Sequence, residues 1–229
     1  TIENKLKEEK TESPLIIKNN KTTSSIIEEQ SSFKEDNTLL FGIWDPDKYN
    51  FKLSMWSNTD GKSIQKTISR IDKLNLSETA ENIFLNTIFS YSYPPKNLSE
   101  TEFLNIKINW LIKNKKDELV EEFLVKNNEF PNKNKIVQYL VDRNISSANI
   151  KDGCEKVNFI TQDIKDPYLE KFKIYCLVFN NKKNQAQLLH DILKEQKQSD
   201  KFFDNSINFL LGLSENKNKK IKDDNLLNF

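Results

Sequence analysis

Two stretches of this chain repeat one another. Around Trp110-Leu111-Ile112-Lys113-Asn114-Lys115-Lys116, and again around Cys176-Leu177-Val178-Phe179-Asn180-Asn181-Lys182-Lys183, an apolar helix end runs into an Asn/Lys turn and then into a second amphipathic helix. The second helices also align, with Leu119, Val120, Phe123 and Leu124 set against Leu188, Leu189, Ile192 and Leu193. The offset is 176 − 110 = 66 residues in the first helices and 188 − 119 = 69 in the second. That is about twice the ~34-residue period of tetratricopeptide-type helix pairs. Helix pairs that bury their apolar faces only against neighbours must stack. The pattern therefore predicts an all-α fold, an α-solenoid of antiparallel helical hairpins, tetratricopeptide-like.

Composition agrees with helix and against sheet. Four Gly and six Pro in 229 residues are too few to punctuate a multi-stranded sheet. Lys+Arg at 35 against Asp+Glu at 34 leaves a net charge of +1, so no overall field draws the chain to phosphate backbones, and no nucleic-acid partner is expected. No stretch approaches the roughly 20 apolar residues that cross a bilayer, so no transmembrane segment is expected in this piece.

The chain divides by composition. Residues 1–38 are rich in Lys, Glu, Asn, Ser and Thr, with apolar residues only in isolated pairs and triplets; they read as a disordered tether. Residues 39–60 form an extended aromatic arm, broken by Asp45-Pro46-Asp47 and packed over the first helices. Residues 61–213 carry helical periodicity and predict about nine helices. Among these, Ser99-Glu100-Thr101-Glu102 is a capping box, and Asp166-Pro167 is an N-cap followed by proline at the first helical position. One helix is expected over 133–142 and the next over 147–163. Residues 214–229 form a polar tail whose final Leu226-Leu227-Asn228-Phe229 has nothing to pack on, as if cut through a longer chain; the start at Thr1 fits a removed leader or an excised fragment.

Candidate chemistry is sparse. Cys154 and Cys176 lie on consecutive helices, each about three turns from the Asp166-Pro167 turn, so a disulfide is geometrically open to them. The alternative is two buried free thiols acting as small hydrophobes. His190 is the sole histidine and no Cys-x-x-Cys is present, so no metal site and no cofactor are expected. His190 itself reads as a boundary residue of an amphipathic helix. The carboxylates Asp117-Glu118 and Glu121-Glu122 read as a solvated helix face. No catalytic residue emerges. Trp44 and Trp56 flank an irregular segment and are the candidate binding anchors.

From Leu39 to Gly212 the chain resembles an uncharacterised alphaproteobacterial family of exported helical-repeat proteins. The likeness is carried by Met55-Trp56-Ser57, the Cys154 helix, Asp166-Pro167-Tyr168 followed by Cys176, Leu193-Lys194-Glu195-Gln196 and Leu210-Leu211-Gly212. It implies an exported chain with further repeats after residue 229, and no reaction or ligand. True tetratricopeptide repeats place small residues where paired helices meet; here these are mostly missing, Ala186 being an exception.

These readings converge on a non-catalytic protein–protein interaction scaffold of the bacterial cell envelope, its partner another protein. The location is periplasmic if the cysteines are bridged and cytoplasmic if they are free. The rival reading is an accessory or regulatory helical module of an enzyme whose active site lies outside this segment.

Overall fold

A computed structural model describes residues 39–127, 129–159, 165–215 and 225–227. The expected tether over 1–38 and most of the polar tail lie outside these residues. The protein is all-helical: among the described residues there is no regular strand, only two isolated parallel bridges, Trp44 with Ser90 and Asp60 with Lys96. The helices are α1 (Gly61–Ile71), α2 (Glu78–Phe89), α3 (Glu100–Lys113), α4 (Asp117–Lys126), α5 (Lys133–Ser146), α6 (Ile150–Glu155), α7 (Pro167–Phe179), α8 (Lys183–Glu195) and α9 (Lys201–Leu211).

Side-chain caps start α3, α7 and α9. Ser99 Oγ accepts from the Glu102 amide at 3.2 Å while the Glu102 carboxylate accepts from the Ser99 amide at 2.8 Å, satisfying two otherwise orphaned donors at the head of α3. Asp166 caps α7 through the amides of Tyr168 and Leu169 at 3.0 and 3.3 Å. Asp200 caps α9 in the same way through Phe202 and Phe203.

Helices α3, α5, α7 and α9 begin at residues 100, 133, 167 and 201, so their spacings are 133 − 100 = 33, 167 − 133 = 34 and 201 − 167 = 34. Between α3 and α4, α5 and α6, and α7 and α8 the chain makes the same turn three times. One residue in each is left-handed: Lys115 (φ 53°), Ala148 (φ 56°) and Asn181 (φ 58°). Its amide donates to the carbonyl three residues back, and the next amide donates to the carbonyl five back. Lys115 bonds Ile112 and Lys116 bonds Leu111; Ala148 bonds Ile145 and Asn149 bonds Asn144; Asn181 bonds Val178 and Lys182 bonds Leu177, all between 2.8 and 3.1 Å. This is the Schellman geometry that terminates a helix by satisfying its last carbonyls.

The turns correct the expected offset of the second helices. Lys116 and Lys182 are the matching N-caps, so α4 and α8 align at 182 − 116 = 66 residues, not 69. Leu119 thus corresponds to Gln185, and Leu188 is 61% exposed. Aligning second helices by apolar residues alone slips by three, because positions three apart share a helix face. The middle turn also revises two boundaries. Helix α5 runs on to Ser146, and α6 starts at Ile150, giving way to a 3-10 turn, Lys156–Phe159; residues 160–164 lie outside the described set.

At this register the cores of the three pairs coincide. Phe103, Ile136 and Leu169 are buried at one position, Ile108, Val141 and Ile174 at a second, and Val120, Gly153 and Ala186 at a third. In the middle pair the third position is closely packed: a Cβ at Gly153 would sit 3.2 Å from both the Asn144 Cβ and the Phe172 ring, whereas the first pair holds Val120 there. Each pair packs internally and against the next. A larger apolar cluster runs from Phe41 to Cys176, and a smaller one joins α7, α8 and α9 through Ile174, Val178, Ala186, Leu193, Phe203 and Ile207. Leu227, expected to lack a surface to pack on, lies partly buried against the larger cluster.

Candidate functional sites: the arm, the polar links and the disulfide

The aromatic arm closes the α1–α3 end of the array. Backbone bonds stitch it to the segment after α2: the Ile43 amide donates to Phe89 O at 2.7 Å, the Tyr91 amide to Trp44 O at 3.0 Å, and the Tyr93 amide to Leu53 O at 2.8 Å. At Gly42 the two segments run close together, since a Cβ would fall 2.7 Å from the Tyr91 nitrogen. Asn127, at the end of α4, holds the backbone of Gly42 on both sides, donating to its carbonyl at 2.8 Å and accepting from its amide at 3.3 Å. Within the arm, Asp45 caps a short 3-10 turn, Pro46–Tyr49.

Beneath the arm lies Lys107 of α3, 1% exposed. Its ammonium donates to Phe41 O at 2.7 Å and Ser90 O at 3.4 Å and stands 4.5 Å over the Phe103 ring. Burial pulls its pKa from 10.5 down to about 7. The sequence reading missed this residue, because a lysine at a core position of a helix carries no signal apart from its place on the apolar face.

Trp44 and Trp56 both pack, partly buried, against the larger cluster. Trp44 meets Tyr49 and Phe89 edge-on at 6.5 and 6.3 Å, and Trp56 meets Phe103 at 6.4 Å. Among the described residues, the buried indole nitrogens of Trp56 and Trp110 find no hydrogen-bond partner. The structure therefore makes both arm tryptophans wedges between the arm and α2–α3, each with part of its surface left to solvent.

Acidic residues tie neighbouring helix pairs together. Asp117, at the start of α4, accepts from the Tyr139 hydroxyl at 2.5 Å and from Arg143 Nε at 3.1 Å. Glu121 pairs with Lys156 at 2.7 Å. The expected solvated face is in this respect an inter-pair contact. Tyr168 donates to Asp142, Asn134 to Asp166 at 2.9 Å and Lys171 to Asp200 at 2.5 Å. Burial, reinforced by the hydrogen bond to Asp117, pushes the Tyr139 hydroxyl up to about 12, and burial raises the Asp142 carboxyl against the opposing effect of Tyr168.

His190 is 2% exposed and shares a hydrogen bond of 2.7 Å with Asp204 Oδ1, its ring edge-on to Phe203. Ser199 Oγ donates to the same Asp204 oxygen at 2.5 Å. A relay needs the serine on the histidine and the carboxylate behind it; here serine and histidine both end on the carboxylate, so the cluster fastens α8 to α9. Among the described residues no group of His, Cys, Asp and Glu is arranged to hold a metal ion.

Cys154 of α6 and Cys176 of α7 form a disulfide with Cα atoms 5.4 Å apart. Helix α6 ends at Glu155, short of the helix expected over 147–163, so the count of turns from Asp166-Pro167 does not account for the pairing; the packing of α6 against α7 brings the two cysteines together. The bridge fastens α6, the shortest of the helices, to the middle of the molecule. Comparison with protein-family models, with curated proteins and with solved structures finds no match.

Proposed function

We propose that this protein is a non-catalytic scaffold of the bacterial cell envelope, a tetratricopeptide-like solenoid that binds another protein. The observation that carries the reading is the turn repeated at Lys115, Ala148 and Asn181, two steps of 33 residues (148 − 115 and 181 − 148), with the same three core positions buried each time. Helix pairs that repeat in this way stack on neighbours and leave a long surface along the array, which is the physical basis of adaptor function. A Cys154–Cys176 bridge suits an oxidising compartment, where thiols are not held reduced. The partner meets the surface formed by successive first helices or the arm at its end, where Trp44 and Trp56 supply the aromatic area.

Mild crosslinking of the full-length protein in its native cells, followed by capture and mass spectrometry, tests this. A specific protein partner lost on Trp44→Ala or Trp56→Ala is expected for an arm contact. A partner retained in both variants assigns the contact to the helix surface, and repeated capture without any specific partner defeats the scaffold reading.

A further inference from the structure

The two cysteines of the bridge differ in exposure. Cys176 is 5% exposed within the larger apolar cluster, whereas Cys154 packs against that cluster while partly exposed and lines an open pocket of about 550 Å³. The pocket lies between α6 and the end of α7: Ile150, Lys151, Glu155 and Asn158 form one side, Phe179 and Asn180 the other. Its volume falls within the roughly 300–1,000 Å³ of small-molecule sites. Phe179 is 59% exposed, an aromatic ring left in water at the wall of a cavity. Lys151 and Glu155, three residues before Cys154 and one after it, place opposite charges on the same wall.

We propose that this pocket is a thiol–disulfide exchange site, at which a small cysteinyl peptide attacks the sulfur of Cys154. Exchange requires an approach to one sulfur with the other as leaving group, and the pocket opens onto Cys154 alone. The incoming thiolate forms a bond to Cys154 Sγ, the Cys154–Cys176 bond breaks, and Cys176 leaves with the electron pair and takes up the proton that the attacking thiol released. The products are a mixed disulfide at Cys154 and a free thiol at Cys176, with no net oxidation. A zwitterionic peptide suits the walls: its carboxylate meets Lys151, its ammonium Glu155, and its aliphatic part Ile150 and Phe179. Cys176, still held in the core beside the adduct, attacks back and restores the bridge when the thiol is withdrawn. The site thereby reports the thiol content of its surroundings without requiring the chain to unfold.

The test uses the oxidised full-length chain and the tripeptide thiol glutathione. After brief incubation and acid quench, free thiols are alkylated and the adducts mapped by mass spectrometry. The glutathione adduct is expected on Cys154 and the alkyl label on Cys176, about tenfold or more in excess of the converse arrangement. An adduct on Cys176, an even distribution, or a reaction that proceeds only as fast as the chain unfolds in denaturant would overturn the proposal. Single-cysteine variants give a second reading: with oxidised glutathione, Cys176→Ser should react at Cys154 at least about tenfold faster than Cys154→Ser reacts at Cys176. Phe179→Ala and Lys151→Glu should slow glutathione but not mercaptoethanol, which has no peptide to seat. Equal effects on both thiols, or none on either, would remove the peptide-binding part.

Discussion

A lysine buried beneath the arm costs the fold stability, and its cost depends on pH. In the unfolded chain Lys107 keeps its proton up to its ordinary value of 10.5; in the fold burial brings that value to about 7. Between pH 7 and 10.5 the unfolded state therefore binds a proton that the folded state has released, and this group makes stability rise with pH across that window. Below 7 both states are charged and above 10.5 both are neutral, so its contribution is flat. Thermal unfolding of the wild type and of Lys107→Met from pH 6 to pH 10 checks this. The variant should be most favoured relative to wild type at pH 6 and lose that advantage as pH rises. Parallel curves would show that Lys107 does not titrate in the window. Gly42 is the second sensitive residue of the arm, since even a methyl group meets the backbone of Tyr91 and Phe89; Gly42→Ala should lower the melting temperature.

Among the elements, the turns and α7 show how a glycine-poor chain connects and packs its helices. The three left-handed turn positions hold Lys115, Ala148 and Asn181, and a non-glycine residue there loses roughly 1–2 kcal/mol to the contact of its Cβ with the carbonyl. Part of this returns through the lower entropy of the unfolded chain. Ala148→Gly should thus stabilise the protein by up to about 1 kcal/mol, and Asn181→Gly by less, because Asn tolerates this conformation. Denaturant titration of both variants decides the order; a destabilising Ala148→Gly would contradict it. Helix α7 is apolar on two sides. Leu169, Phe172 and Cys176 face the larger cluster, and Ile174 and Val178 face α8 and α9, as expected of a helix enclosed between neighbours rather than lying on a surface. Helix α6, by contrast, has only six residues and leans on its bridge. Closing a loop of this length is worth about 3 kcal/mol. Cys154→Ala together with Cys176→Ala should lose an amount of that order, measured as a shift in denaturant midpoint under non-reducing conditions. No shift would show that the bridge does not form or does not constrain the unfolded chain.

For the molecule as a whole, two apolar clusters of unequal size imply unequal resistance to opening. The smaller cluster rests on one face of α7, the inner face of α8 and two buried residues of α9, with the Ser199–Asp204–His190 cluster and the Lys171–Asp200 ion pair among its polar ties. The larger runs continuously from the arm to α7. Local opening free energy follows buried apolar contact, so native-state hydrogen exchange should show α8 and α9 opening well before α3, α4 and α5. Uniform protection across all of these helices would mean that the two clusters behave as one cooperative unit.

The all-helical character, the capping box at Ser99 and the cap at Asp166 were legible in the amino-acid order, because they depend on composition or on contacts within a turn or two; the pairing of Cys154 with Cys176 was open there beside two free thiols, and the structure bridges them. The recurring turn was legible only at twice its spacing. Its middle copy turns through Ser147-Ala148-Asn149, residues with no glycine, proline or charge to mark them, and its closely packed position is Gly153, whose purpose appears only once Asn144 and Phe172 lie against it. The register of α4 against α8 was likewise beyond local pattern, since an apolar stripe reads almost the same after a shift of three residues. What tertiary structure alone decided was the fate of particular side chains: Lys107 under the arm, Trp44 and Trp56 wedged against α2 and α3, Asp117 shared between Tyr139 and Arg143, and one cysteine of the bridge facing the core while the other faces a pocket. Local sequence sets which face of a helix is apolar, whereas which of its residues meets water is set by the neighbour that packs on it, and that neighbour is distant in the chain.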